Sequence, residues 1–317
     1  MSTSIPVPSN LPRLTQDEIE SPPLSLGKLT WLRFRRHKMA MFGAIVLILL
    51  ILYSFGGSIF FSESFANHND VALGPTAPTL VHPFGTDLTG RDLLARTIYG
   101  GQISLVIGVT AMIIETVAGV LIGAAAGYYG GWIDAILMRI TEAMLNIPEI
   151  FLLLVMAKEF AGKIPIVNIM GREISGSVIV IVVIIGLTSW MYLARIVRAE
   201  FLSLKENDFV LAARSTGTSN REIIFKHILP NSMAPIIVSA TLGVANAILA
   251  EAYISFLGLG VQAPTATWGN MLDGANNHID KPWMWFFPAI LILLTVLSIN
   301  FLGDGLRDAL DPHSRAV

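Results

Sequence analysis

The sequence predicts an all-α membrane protein with six transmembrane helices. Of its 317 residues, 53% are hydrophobic and only 14% are charged, whereas a soluble domain usually carries about a quarter charged residues. Long stretches without any charge recur along the chain, and the mean hydropathy is positive. Because a helix needs about 20 apolar residues to cross the hydrocarbon core, these stretches are the candidate spans.

The apolar stretches divide the chain into a tail, a first helix and a core of five helices. Residues 1–30 are polar and rich in Pro, which favours a disordered cytoplasmic tail. Residues 39–62 carry no charge and would form a helix about 36 Å long, enough for a core of about 30 Å. The first helix and a polar outer loop therefore occupy residues 31–96. The core is predicted over residues 97–312, with spans at 97–130, 133–157, 174–194, 228–250 and 282–303, before a short cytoplasmic tail at 313–317.

The distribution of Lys and Arg predicts that both termini are cytoplasmic. With the N-terminus inside, 14 of the 21 basic residues fall on the inner side and 6 on the outer side, and Arg139 falls in a helix. Basic residues accumulate in cytoplasmic loops. The chain is therefore expected to be a multi-pass protein of the cell (inner or plasma) membrane, with lipid around it.

The second and third spans contain ionisable residues, which are costly at membrane depth. Glu115 interrupts the second span, and Glu149 lies in the third. Also in the third, Asp134 and Glu142 flank Arg139 on neighbouring helical turns, so ion pairing is the favoured interpretation. A catalytic or proton-relay role is the alternative.

Three glycines in the second span predict close helix packing. Gly119, Gly123 and Gly127 recur every four residues, and such a row of small residues lets two helices approach closely.

No motif of an enzyme is present. The sequence lacks Cys, which excludes disulfides and thiolate chemistry. It also lacks a G-x-x-x-x-G-K-[ST] phosphate loop, an H-E-x-x-H metal motif and a G-x-S-x-G nucleophile elbow. The chain is therefore predicted to have no catalytic residue, no metal site and no cofactor of its own, and nucleic acid is not an expected partner.

The longest polar interruption in the second half of the chain, residues 206–230, predicts two short helices around a turn. Asn207 or Asp208 can cap the first helix. Gly217 stands where a helix end favours a left-handed residue. Ser219 and Glu222 fit a capping box for the second helix, whose inner face would carry Ile223, Ile224, His227 and Ile228.

This stretch resembles the EAA loop of the permease subunits of ABC importers. The resemblance rests on Ala212-Ala213, on Gly217, and on Leu229-Pro230. Leu211 stands where a Glu is common in that family, and His227 where an Ile is common.

Three further stretches resemble C-type permeases of dipeptide and oligopeptide importers. Residues 84–105, with the core G-T-D-x-x-G-R-D, are similar to the segment before the second helix. Residues 134–148 are similar to the third helix, and residues 251–272 to the outer connection between the fifth and sixth helices. In that connection Trp268 suits the membrane interface. The similarity covers roughly residues 30–312.

The resemblance implies a type I ABC importer permease fold, with the loop at 206–230 as its coupling-helix region in the cytoplasm. It also implies a second homologous permease, two ABC ATPase subunits inside and a solute-binding protein outside. ATP and Mg²⁺ would bind to the ATPases, whose closure would drive alternating access for a dipeptide, an oligopeptide or a related solute. The residues expected to couple the permease to the ATPases are Ala212, Ala213, Gly217, Leu229 and Pro230.

The solute path is expected to involve the third and fifth helices. Asn246 and Glu251 are candidates for this path, and the alternative is that they bridge neighbouring helices. A secondary transporter or channel working without ATPases is the alternative function, although no inverted repeat is detectable. An intramembrane enzyme and an exporter are the other two alternatives.

Overall fold

The computed structural model describes residues 25–160, 163–169, 172–273 and 278–311, and this part of the chain is predominantly helical. In chain order its helices are α1 (Leu26–Arg36), α2 (Lys38–Ile51, continued by a π-helical turn over Leu52–Gly56), α3 (Glu63–Ala66), α4 (Leu93–Tyr129), α5 (Gly131–Leu145), α6 (Glu149–Phe160), α7 (Ser177–Leu204), α8 (Asp208–Ser215), α9 (Asn220–Glu222, continued by a π-helical segment over Ile223–Ile228), α10 (Leu229–Asn231), α11 (Met233–Phe256) and α12 (Pro282–Leu310). A hairpin of β1 (Val167–Ile169) and β2 (Arg172–Ile174) lies between α6 and α7.

The tail predicted over residues 1–30 overlaps the first helix of the structure. Helix α1 begins at Leu26, where the Ser25 hydroxyl accepts a hydrogen bond from the Lys28 N–H at 3.4 Å. Residues 1–24 and 312–317, which hold the rest of the two predicted tails, lie outside the described residues.

Five helices in the described ranges are long and apolar enough to cross a membrane: α2, α4, α7, α11 and α12. Their bounds differ from the predicted spans because charged residues do not end these helices. Helix α7 continues through Arg195 and Arg198, and α12 continues through Asp304 and Arg307.

The third predicted span is not one continuous helix. Helices α5 and α6 meet at a bend of 84°. Pro148 lacks an N–H and disfavours helical backbone at the preceding Ile147, which breaks the helix at this point. The described part of the chain therefore has five spans, or six if the bent pair counts as one.

Helices α4 and α7 pack closely along a row of glycines. Gly119, Gly123 and Gly127 all face residues 193–201 of α7. A Cβ atom on Gly123 would lie 2.5 Å from the carbonyl oxygen of Ala194, which leaves no room for any side chain. Helix α11 packs against α4, α7 and α12, and α12 packs against α2.

Of the two ion pairs predicted for Arg139, the pair with Glu142 is present and the pair with Asp134 is not. Arg139 pairs with Glu142 at 3.5 Å, and both side chains are exposed. Asp134 instead pairs with Arg198 of α7 through two contacts, at 2.5 and 2.6 Å. Local spacing could not predict this partner, because it comes from a different helix.

Candidate functional site

The loop between α7 and α11 is a packed helical unit. Val210 and Ala213 of α8 and Ile223 and Ile228 of α9 are buried. They form one apolar cluster with residues of α4 and α7, among them Phe201. The loop is therefore held against the ends of two spanning helices by burial of apolar surface.

The turn at Gly217 closes α8 in the predicted way. Gly217 has a φ of +80°. Its N–H donates to the Arg214 carbonyl at 3.0 Å, and the Thr218 N–H donates to the Ala213 carbonyl at 3.1 Å, which is the Schellman pattern. A Cβ atom at Gly217 would meet no heavy atom within 4 Å. The backbone angle, rather than crowding, is what requires glycine here.

The start of the second loop helix is also as predicted, but its body is wound differently. The Ser219 hydroxyl accepts from the Glu222 N–H at 3.3 Å. A hydrogen bond from the Lys226 ammonium, at 2.8 Å, holds the pKa of Glu222 below its ordinary value. Ile223–Ile228 is wound as a π-helix, in which residues five positions apart share a face. The two buried residues of this segment are accordingly Ile223 and Ile228.

Polar contacts join the loop to α4. The Tyr128 hydroxyl donates to the Asn220 side-chain oxygen at 2.7 Å. The Arg214 guanidinium lies 5.6 Å from the centre of the Tyr128 ring. The Lys205 ammonium donates to the Gly127 carbonyl at 3.0 Å. The loop is therefore tied directly to the C-terminal end of α4.

The coupling residues predicted from the sequence lie in different surroundings. Ala213 is buried against the spanning helices, and Leu229 is half-buried. Ala212, Gly217 and Pro230 are exposed. The loop also exposes three large apolar side chains, namely Phe209, Leu211 and Phe225.

A cavity of about 590 Å³ lies between α4, the bend of α5 and α6, α7 and α11. Its walls are mainly apolar, with polar groups from each side. Glu115 enters from α4, Asn246 from α11, and Glu149 from the start of α6. The Ser189 hydroxyl of α7 donates to Glu149 at 3.2 Å. A mixed lining of this kind is typical of sites that accept a small solute.

Asn246 and Glu251, the two candidates for the solute path, are separated by the structure. Asn246 is exposed and lines the cavity. Glu251 is fully buried and is not among the residues of the cavity wall. Its carboxylate accepts hydrogen bonds from Ser255 at 2.6 Å and Thr267 at 2.7 Å, and Ser104 of α4 lies at 3.5 Å. Glu251 thus bridges α4, α11 and the outer connection, as the alternative interpretation expected.

The outer connection begins later than predicted, and Trp268 lies elsewhere. Helix α11 includes Glu251 and continues to Phe256. Trp268 is fully buried and donates its indole N–H to the Thr97 carbonyl at 2.8 Å. The expectation of an interfacial Trp268 is wrong, because the connection folds back over α4.

The G-T-D-x-x-G-R-D core forms a closed turn before α4. Asp87 accepts from the N–H groups of Thr89 and Arg91 at 2.9 and 3.0 Å, and it pairs with the Arg91 guanidinium at 2.6 Å. Burial opposes ionisation of Asp87, but Arg91 and these hydrogen bonds outweigh it, and the pKa of Asp87 lies below its ordinary value. Asp92 then caps α4 by accepting from the Ala95 N–H at 2.7 Å.

Sequence reasoning missed the polar wall of the cavity that comes from α6 and α7. In the sequence, Glu149 is only a charge within a predicted span, and Ser189 gives no signal at all. The break at Pro148 was the available clue, because a broken helix at membrane depth exposes backbone that must line a cavity or be covered by protein.

Several spanning helices, a cavity between them and a packed helical loop at their ends define a membrane permease. A family model described as "binding-protein-dependent transport system inner membrane component" matches residues 119–316, and one described as "N-terminal TM domain of oligopeptide transport permease C" matches residues 25–75. The chain belongs to the family of binding-protein-dependent transport system inner membrane components.

Curated relatives are similar over nearly the whole chain. The oligopeptide transport system permease protein OppC of Bacillus subtilis is 39% identical, over 94% of this chain and 93% of its own. The dipeptide transport system permease protein DppC of Alkalihalophilus pseudofirmus is 41% identical, over 90% of this chain and 89% of its own. The OppC protein of Haemophilus influenzae is 40% identical, over 94% and 93%. The alternative of a secondary transporter finds no support in these comparisons.

Proposed function

We propose that this chain is a permease subunit of an ATP-driven ABC importer for dipeptides or oligopeptides. The observation that carries the proposal is the sequence identity of 39–41% to permeases of dipeptide and oligopeptide transport systems, over 90–94% of the chain. The proposed complex contains a second homologous permease, two ATPases that bind ATP and Mg²⁺, and a solute-binding protein. Both termini lie in the cytoplasm, and the chain itself carries out no catalysis.

The loop at 206–230 is the proposed docking site for an ATPase. It exposes the apolar side chains of Phe209 and Leu211 in α8 and of Phe225 in α9, and Ala212 and Pro230 are exposed as well. Exposed apolar patches rimmed by polar residues mark interaction sites. The buried Ala213 and the half-buried Leu229 instead hold the loop against α4 and α7.

Copurification tests the docking site. We expect a C-terminally tagged chain, extracted from its native membrane in mild detergent, to retain a second permease and two ATPases. Ala212→Asp should remove most of the ATPase from the eluate but keep the second permease, because a charge buried without a partner opposes docking.

Ala77→Asp is the matched control, since Ala77 is also exposed but lies in the loop between α3 and α4. Equal recovery of ATPase with both variants would contradict the docking site. A wild-type chain that purifies alone, with uptake that persists without ATP, would contradict the proposed function.

The cavity beside Asn246 is the proposed solute path. Because the chain contains no Cys, a single introduced thiol can be followed without a background from this subunit. We expect Asn246→Cys to react with a water-soluble maleimide and to be protected when the loaded solute-binding protein and ATP are present. Ala247→Cys is the control, because Ala247 is adjacent but only 2% exposed. Equal labelling of the two thiols, or labelling of Asn246→Cys that transport conditions do not change, would exclude this path.

A further inference from the structure

Helix α1 carries one exposed stripe that is both basic and apolar. Lys28, Trp31, Leu32 and Arg35 are spaced at i, i+3, i+4 and i+7, which places them on one face of a helix. Trp31 is 56% exposed and Leu32 is 39% exposed. The opposite side of the helix packs against the protein, because Phe34 is buried in a cluster with residues of α2 and α12. The stripe of Lys28, Trp31, Leu32 and Arg35 therefore has no cover from the described part of the chain.

The charge on this stripe is not neutralised by the residues that the structure describes. Lys28 and Arg35 form no ion pair within the described ranges. The neighbouring carboxylate of Asp308 lies 3.5 Å from His37. Arg33, which lies outside the stripe, donates to the Asp311 carbonyl at 2.9 Å. The sequence contains no Asp or Glu between Glu20 and Glu63.

The position of α1 in the chain puts this stripe next to the lipid. Only His37 separates α1 from α2, the first spanning helix. Helix α2 begins with Lys38, and its first turns expose Met39 and Phe42. A helix attached in this way to the start of a span must lie close to the membrane surface.

We infer that the α1 stripe binds anionic phospholipids. Trp is enriched at the membrane interface, where its ring lies at the level of the headgroups. Trp31 and Leu32 would enter the boundary between headgroups and acyl chains, and Lys28 and Arg35 would contact the phosphates. Anionic lipid is the occupant that fits, because it satisfies the charge and the apolar side chains at the same surface. Each Lys or Arg of a basic helix beside a span strengthens binding to an anionic leaflet by about fivefold.

Quenching of Trp31 fluorescence tests this inference. The full-length chain and its Trp31→Phe variant are placed in nanodiscs of phosphatidylcholine that contain a minor fraction of brominated lipid. The brominated lipid is either phosphatidylglycerol or phosphatidylcholine, and the difference between the two proteins isolates the signal of Trp31. We expect brominated phosphatidylglycerol to quench this signal more strongly, with a preference that falls as ionic strength rises.

Charge removal gives the second measurement. Lys28→Gln with Arg35→Gln should lower the preference for phosphatidylglycerol by about 25-fold, since each basic side chain contributes about fivefold. Lys158→Gln with Lys163→Gln is the control, because it also removes two exposed basic side chains, one in α6 and one just after it, although Lys163 is paired with Glu159.

Each remaining outcome would overturn the inference. Equal quenching by the two brominated lipids would remove the selectivity for anionic lipid. A preference that survives the double substitution in α1, or that both double variants lose equally, would remove the role of Lys28 and Arg35. Absence of quenching by either lipid would mean that protein covers the stripe, through the second permease or through residues 1–24 with their Asp17, Glu18 and Glu20.

Discussion

Replacement of Gly217 by Val is expected to lower ATP-driven uptake about tenfold while membrane insertion and assembly are retained. Gly217 has a φ of +80° in the turn that joins α8 to α9. Left-handed backbone costs a residue with a Cβ roughly 1–2 kcal/mol, and a β-branched residue is a genuine outlier there. A destabilisation of about 1.4 kcal/mol corresponds to a tenfold change in an equilibrium. The strained turn would misplace the exposed docking face but leave the spanning helices intact.

Uptake of a labelled dipeptide, measured at equal expression, checks this expectation. Gly74→Val is the matched control, because Gly74 also has a positive φ, of +57°, and has no heavy atom within 4 Å of a Cβ. It lies in the loop between α3 and α4. Gly217→Asn should recover most of the activity, since Asn tolerates left-handed backbone. If Gly217→Val and Gly74→Val take up dipeptide at the same rate, the turn at Gly217 has no role in coupling.

Replacement of Gly123 by Leu should destabilise the whole subunit. Any Cβ at this position would lie 2.5 Å from the Ala194 carbonyl oxygen and 2.8 Å from the Cβ of Val197. Overpacking of a core typically costs 1–3 kcal/mol, and here the nearest group is backbone, which cannot adopt another rotamer. We expect a loss at or above about 3 kcal/mol, because α4 and α7 must move apart along their length.

The midpoint of thermal unfolding in detergent is the measurement for this variant. Gly56→Leu provides the comparison, because Gly56 lies at the end of the first span and a Cβ there meets no heavy atom within 4 Å. Both variants add the same apolar side chain to a spanning segment. A midpoint for Gly123→Leu that matches the Gly56→Leu midpoint would show that the α4–α7 contact contributes little to stability.

Local features of this protein are predictable from sequence. The spans follow from charge-free stretches, and Gly217 and Ser219 define their turn and cap through backbone rules that involve only a few neighbouring residues. The glycine row also predicts a close helix contact, although it does not name α7 as the partner.

Features that depend on distant contacts are not predictable in this way. The carboxylate of Glu251 is satisfied by hydroxyls that lie 147 residues before it and 16 residues after it, and no local pattern relates these positions. The partner of Asp134 is 64 residues away. The bend between α5 and α6 is only partly predictable. Pro148 marks a break in the helix, but the hydropathy of the segment alone predicts one continuous span.

Helix α4 contains 37 residues, which makes it about 55 Å long and far longer than a hydrocarbon core of about 30 Å. One end is tied to the outer connection through Thr97 and Trp268, and the other is tied to the loop through Tyr128 and Asn220. If a helix of this length tilts by a few degrees about its middle, its two ends move by ångströms in opposite directions. The solute-binding protein and the ATPase of the proposed complex would then act on opposite ends of the same helix.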